Sequence, residues 1–236
     1  MSSIWLLASA FLKTLQSQSP MADNYLEKRY EECFGKGPTK TKKVGHTVEE
    51  LLTKNRSTRG YKKDFVVSRA MLEQIVAVNT RIPSARNQQA LRFRLVTQGP
   101  ESQIVLANVK MGGALPELHL PFPGTEPEAF VVVCSAKEED KMVDIDLGIS
   151  LQSMLLKAVE MGLNGLIICA FNKKNIQEQL ALPYPPLAVL AIGKGAEQFE
   201  LTPISEQDNH AYYRKDTERG TVHFVPKVQL KDLIIG

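Results

Sequence analysis

The chain has 236 residues, 43% hydrophobic and 23% charged, the proportions of an ordinary soluble globular protein with enough length to bury a substantial core. Its net charge of +3, from 29 basic and 26 acidic residues, is too small for a nucleic-acid footprint. Three widely spaced cysteines (Cys33, Cys134, Cys169) without a CxxC, and four histidines without ligand spacing, argue against a zinc site or a disulfide framework, so a reducing cytoplasm is the expected compartment.

In chain order, residues 1–20 read as an upstream extension or leader. The apolar run from 4 to 11 is too short to span a bilayer, and no positive charge precedes it as a secretory signal requires. No other segment approaches membrane length. Residues 23–34 have the pattern of a short polar helix. "GKGPTKTKKVG" at 35–45 is a basic linker that lacks the register of a P-loop. A domain covering 47–236 then follows.

"TVEELLTKN" carries a capping box, Thr47 with Glu50, and its helix closes at Asn55. Ser68 caps a second helix, expected over 68–81 from the spacing of Met71, Leu72, Ile75, Val76 and Val78, and Pro83 stops it. "LRFRLVT" alternates as a strand with Leu91, Phe93 and Leu95 on one face. Residues 99–129 are rich in Pro and Gly and poorly periodic, a long ordered excursion for which a flap over a site is one reading. "AFVVVCSA" at 129–136 is a buried strand. The strongest helix spans 144–163, with Asp144 or Asp146 as its cap and apolar residues on nearly all sides of its middle. "NGLIICAF" and "LAVLAIGKG" are two more buried strands, with Cys169 as a packing thiol in the first. The tail offers a polar loop, a short strand and a closing helix or arm. The sum is an α+β fold with a central mixed, mainly antiparallel sheet of four to five strands flanked by helices, and a C-terminal arm.

No catalytic dyad emerges. G-x-S-x-G and H-E-x-x-H are both missing, and "GKGAEQ" lacks the third glycine of a dinucleotide fingerprint. Two polar stretches remain. "KNRSTRGYKKD" (54–64) places Arg56, Ser57 and Arg59 just past a helix end, where guanidinium forks, a hydroxyl and turn N–H groups suit either a solvated turn or a phosphate. "IPSARNQQALRFRLVT" (82–97) crowds amides into a short link between two buried elements. They could pair with the mixed donors and acceptors of one flat heterocycle, or simply with the turn itself.

Together these stretches resemble the nitroreductase family of flavin enzymes. The matching positions are Arg56, Ser57 and Arg59, then Pro83, Ser84, Asn87 and Gln89. A long helix ending in Gly-Leu and the following strand also match and bring Cys169 and Ala170 toward flavin N5. "VPKVQL" supplies Lys227 as a basic residue returning to the phosphate. The chain departs from the family pattern at Asn55, at Ala90 and Leu91, and at Val228. The resemblance implies bound FMN at the interface of a homodimer, NADH or NADPH as hydride donor, and ping-pong transfer to a nitroaromatic, a quinone or another small electron acceptor. The flavin would carry the hydride, with no catalytic side chain and no metal. Another flavin chemistry on the same fold, or a non-catalytic sensor, is the alternative. The helix from about 147 to 162 independently favours a dimer, being apolar on more faces than one sheet covers, with burial inside a single subunit as the alternative.

Overall fold

The computed structural model describes residues 45–113, 115–218 and 220–236. The readings for 1–20, and those for the helix and linker up to 44, lie outside the described residues.

Helix α1 (Val48–Lys54) begins as its capping box requires. The Thr47 side chain accepts from the Glu50 N–H, the Glu50 carboxylate accepts from the Thr47 N–H, and Asn55 is the C-cap. Helix α2 (Arg69–Val76) starts at Ser68, whose hydroxyl accepts from the Met71 N–H. It tightens into a 3₁₀ turn at Ala77–Thr80, so the helix expected over 68–81 is α-helical only in its first part.

Four strands build the central sheet: β1 (Leu91–Val96), β2 (Ala129–Ser135), β3 (Asn164–Ile168) and β4 (Pro186–Gly193), in the order β1-β2-β4-β3. All three pairings are antiparallel. β2 and β4 are central, buried at every position and built from β-branched and small residues, as strands covered on both faces are. Side chains alternate across them. Val131, Val133, Leu190 and Ile192 meet Leu72 and Ile75 of α2 and Leu151, Met154 and Leu155 of α4 (Lys141–Glu160). Phe130, Val132, Val189 and Ala191 point the other way, among Val105 of α3 (Pro100–Asn108) and Ile176 of α5 (Lys173–Gln179). Two helical layers thus cover the sheet. Each fully buried Val, Leu, Ile, Met or Phe side chain among these contributes on the order of 1.5–3 kcal/mol.

Several elements differ from the sequence reading. The 99–129 excursion is not without structure, because α3 opens it. Pro100 stands at N1 after Gly99, and the Ser102 hydroxyl donates to the Gly99 carbonyl at 2.8 Å. Its apolar residues are consecutive rather than spaced by three or four, so it has no amphipathic signature. α4 starts earlier than 144 and ends at 160. Its N-cap is Asp140, which accepts from the Met142 and Val143 N–H groups at 2.8 Å each, so neither Asp144 nor Asp146 is the cap. The tail holds a second, three-stranded sheet rather than one short strand: β5 (Gln198–Ile204), β6 (Tyr213–Thr217) and β7 (Gly220–Val228), ordered β5-β7-β6. β5 runs parallel to β7 and β6 antiparallel. Helix α6 (Leu230–Leu233) closes the chain. Among the described residues no helix is long and apolar enough to cross a membrane, and no group of His, Cys, Asp or Glu is placed to hold a metal ion.

Candidate functional site

The 56–60 loop leaves α1 and runs along the outer edge of β3. The Thr58 N–H donates to the Gly165 carbonyl at 3.1 Å, and Ser57 forms a parallel bridge with Gly165. Only glycine fits there, because a Cβ at 165 would lie 2.8 Å from the Ala191 carbonyl oxygen and collide with Leu155. The other end of the loop is pinned to the segment after β4. The Ala196 N–H donates to the Gly60 carbonyl at 3.0 Å, and Tyr61 bridges Gly195. The Tyr61 hydroxyl, whose pKa burial raises, donates back to the Thr58 carbonyl at 2.7 Å. Five residues are therefore held from both sides, while the side chains of Arg56, Ser57 and Arg59 line a cavity.

That cavity measures about 270 Å³. Arg56, Ser57 and Arg59 line one side, Gln152 of α4 another, and His223 and Lys227 of β7 a third. His223, Val225 and Lys227 are alternate residues of one strand and so share a face. Lys227, remote in sequence, is thus brought to the arginines. Arg59 spends one N–H on the Ser57 carbonyl at 3.2 Å, and its guanidinium carbon lies 5.3 Å from the centre of the Tyr212 ring. Arg56 donates to the Leu52 carbonyl, and partial burial lowers its pKa. The Nε atoms of both arginines are buried without a hydrogen-bond partner, as is the Tyr212 hydroxyl. Buried donors are normally paired, so a cavity lined by three cations, two of them arginines with an unpaired buried Nε, is chemically suited to an anion.

Behind the loop lies a group the sequence reading missed. The Glu197 carboxylate accepts from the Arg59 backbone N–H at 2.6 Å and stands 3.0 Å from His223 Nε2, with side-chain exposures of 6% and 1%. The two atoms stand within ion-pair distance, but neither Glu197 Oε1 nor His223 Nε2 meets a hydrogen-bond partner on axis. Burial pushes the Glu197 carboxyl up, yet His223 and the Arg59 and Gly60 N–H groups outweigh burial and hold it below the usual range. His223 also stacks on Phe199, its register partner, at 5.1 Å. No local motif announces this pair, because parallel pairing of β5 with β7 assembles it.

The second stretch sits elsewhere. The 84–89 link feeds β1, the opposite edge of the sheet from β3, three strand spacings or about 14 Å away. Pro83, Ser84 and Gln89 line a separate cavity of about 640 Å³ with Asp146 and Ser150 of α4, and this cavity shares no lining residue with the first. Asn87 is exposed and accepts from Gln89 Nε2 at 3.2 Å. Arg86, Asn87 and Gln89 have φ of 50°, 52° and 47°, left-handed conformations that are costly for residues other than glycine. Asp146, expected as a cap, is instead buried and accepts from the Ala85 N–H at 2.8 Å.

Cys169 and Ala170 are not buried in β3, which ends at Ile168. Both are exposed, so Cys169 is not a packing thiol. Ala170 lines an open cleft with Lys110 and Asn172, and neither residue lines the arginine cavity.

The sequence model of the nitroreductase family matches residues 52–194. This chain belongs to the nitroreductase family. The family segment contains both polar stretches but ends before Glu197, His223 and Lys227. Solved structures share the nitroreductase fold. A nitroreductase family protein from Clostridium novyi NT is 21% identical over 64% of this chain and 86% of its own, with a TM-score of 0.54. An FMN-dependent nitroreductase from Clostridium difficile R20291 is 25% identical over 63% and 87%, with a TM-score of 0.51. An FMN- and NADPH-dependent nitroreductase from Sphigopyxis sp. strain HMH is 19% identical over 64% and 89%, with a TM-score of 0.54. No curated protein sequence matches the chain.

Proposed function

We propose that this nitroreductase-family chain is an FMN-dependent oxidoreductase. It would take a hydride from NADH or NADPH and pass it to a nitroaromatic, quinone or similar small electrophile in a ping-pong cycle, the spent donor leaving before the acceptor enters. One observation carries the cofactor assignment: Arg56, Arg59 and Lys227 line one cavity, and the buried Nε atoms of the two arginines have no partner, which fits a phosphate monoester. The supporting cavity has no dinucleotide fingerprint beside it, which favours FMN over FAD. When bound, FMN supplies the reversible hydride acceptor, and the protein supplies binding and electrostatics. In this reading Arg56 and Lys227 hold the phosphate, the Ser57 hydroxyl adds a short-range donor, and Arg59 lies toward the ring, where its charge favours the reduced flavin.

The reading needs two copies of the chain. Pro83, Ser84, Asn87 and Gln89 stand across the sheet from Arg56, so a symmetric homodimer would bring the amide-rich link of one copy to the arginine cavity of the other. Exposed apolar residues support such an interface: Met142 and Ile145 on α4 are 41% and 46% exposed, and Leu233 and Ile234 both 64%. We place the protein in a reducing cytoplasm on its odd, widely spaced cysteines.

The test is steady-state NADH and NADPH oxidation by the purified yellow protein, with menadione or nitrofurazone as acceptor. Parallel lines in double-reciprocal plots are expected. A flavin-loaded protein that oxidises neither nucleotide would instead be a binding protein or sensor.

A further inference from the structure

Glu197 poses an electrostatic problem. It places a carboxylate directly behind the loop that carries Arg56 and Arg59 and lines a cavity of about 380 Å³ adjoining the first, with Arg56 and Phe199 common to both. An unscreened negative charge there would cancel part of the attraction that the three cations offer an anion. We propose that His223 is the counter-ion that cancels the charge of Glu197, leaving the cradle of Arg56, Arg59 and Lys227 with its full positive field for the phosphate of the flavin. This rests on the FMN reading above.

The geometry assigns each atom a task. One Glu197 oxygen holds the Arg59 backbone N–H and so fixes the loop, while the other faces His223 Nε2 at 3.0 Å. Both side chains are almost fully covered, so little water screens the carboxylate on the side facing His223. Phe199 stacked on the imidazole keeps it there. The charged or titratable groups around the pair are Arg59, Arg56, Lys54, Lys227 and Tyr61. All but Tyr61 are cations, and none of the five reaches the carboxylate at ion-pair distance; among the described residues only His223 does. Glu197 and His223 both lie beyond the family segment 52–194.

A purely mechanical role for the pair, clamping β7 to the loop, makes a different prediction from a counter-ion role. A clamp supports every flavin alike. A counter-ion matters most for the ligand that carries the phosphate. The experiment titrates the full-length protein, stripped of flavin, with FMN and separately with riboflavin, following flavin fluorescence. The forms compared are the parent, His223→Gln, Glu197→Gln and the double variant. His223→Gln should weaken FMN binding about tenfold or more, the scale of one uncompensated charge near the site, and leave riboflavin affinity within about twofold. Glu197→Gln keeps an acceptor for the Arg59 N–H and should bind FMN as tightly as the parent or more tightly. The double variant should return FMN affinity to near the parent value, which a lost clamp would not do. Equal loss for both flavins in His223→Gln, no rescue in the double variant, or weaker FMN binding by Glu197→Gln overturns the proposal. If His223→Gln does not fold, Glu197→Gln decides alone by the same criterion. A parent that binds neither flavin overturns the FMN reading and this one with it, whereas a parent that binds FMN with the wrong variant pattern overturns only the counter-ion.

Discussion

The carboxylate of Asp146 accepts the backbone N–H of Ala85 at 2.8 Å, across 61 positions of sequence. It ties the second turn of the long helix α4 to the link in which Arg86, Asn87 and Gln89 adopt left-handed backbone. A strained segment persists only where its surroundings over-determine it, and this contact is one of the restraints. Asp146→Ala should therefore cost about 1–3 kcal/mol, the penalty for orphaning a buried N–H. Asp146→Asn, which retains an acceptor, should cost less. Urea denaturation of the two variants checks the order; equal losses would show that the side chain only fills space.

Arg56 and Arg59 leave the same loop, but in our reading they do different work. Losing a charge-assisted contact to a bound anion costs on the order of 1.5–3 kcal/mol, about tenfold to hundredfold in affinity. Arg56→Ala should mainly release flavin, and added FMN should restore most turnover. Arg59→Ala should also lower the reduction potential of the flavin that remains, because a positive charge near the pyrimidine edge favours the reduced form. A redox titration of both variants saturated with FMN separates them. Potentials equal to the parent in both would leave the arginines as phosphate ligands only.

Glu197 makes stability depend on acid. Its folded pKa lies below its ordinary 4.5, despite burial, because of His223 and the two backbone donors. A depressed carboxyl contributes stability that is fully present above 4.5 and is lost as pH falls through the folded value. The parent should therefore lose more unfolding free energy than Glu197→Gln between neutral pH and the acid side of 4.5. Chemical denaturation of both proteins across that range is the check, and parallel pH profiles would refute it.

What the sequence could reveal followed the range of the interaction. The capping box of Thr47 and Glu50 and the cap at Ser68 are local, and both stand where the pattern put them. The β-branched runs of β2 and β4 announced their burial. Asp146 was misread because an acidic residue early in a helix looks like a cap, while its partner Ala85 is visible only in three dimensions. Cys169 was misread because the apolar run "LIICAF" does not reveal that the strand stops at Ile168. Glu197 and His223 were invisible for a similar reason, since only the pairing of β5 with β7 brings them together. The grouping of Lys227 with Arg56, Ser57 and Arg59 was legible only through resemblance. That the two polar stretches lie at opposite edges of one sheet was legible in neither.

The dimer has its own test. Met142 and Ile145 expose apolar surface on α4, and a charge placed there would be buried unpaired in an interface but harmless on a free surface. Ile145→Arg should give a folded monomer by light scattering and circular dichroism, with its flavin lost. A flavin-loaded dimer unaffected by the change would move the interface elsewhere, and a parent that is already monomeric at micromolar concentration would remove it.

The central claim is that Arg56, Arg59 and Lys227 form a seat for the phosphate of FMN. Its most direct test is chromatography of the cofactor released by heat from the purified protein. The account predicts FMN, in an amount approaching one per chain. FAD, or no flavin in a protein that also fails to take up added FMN, would contradict it.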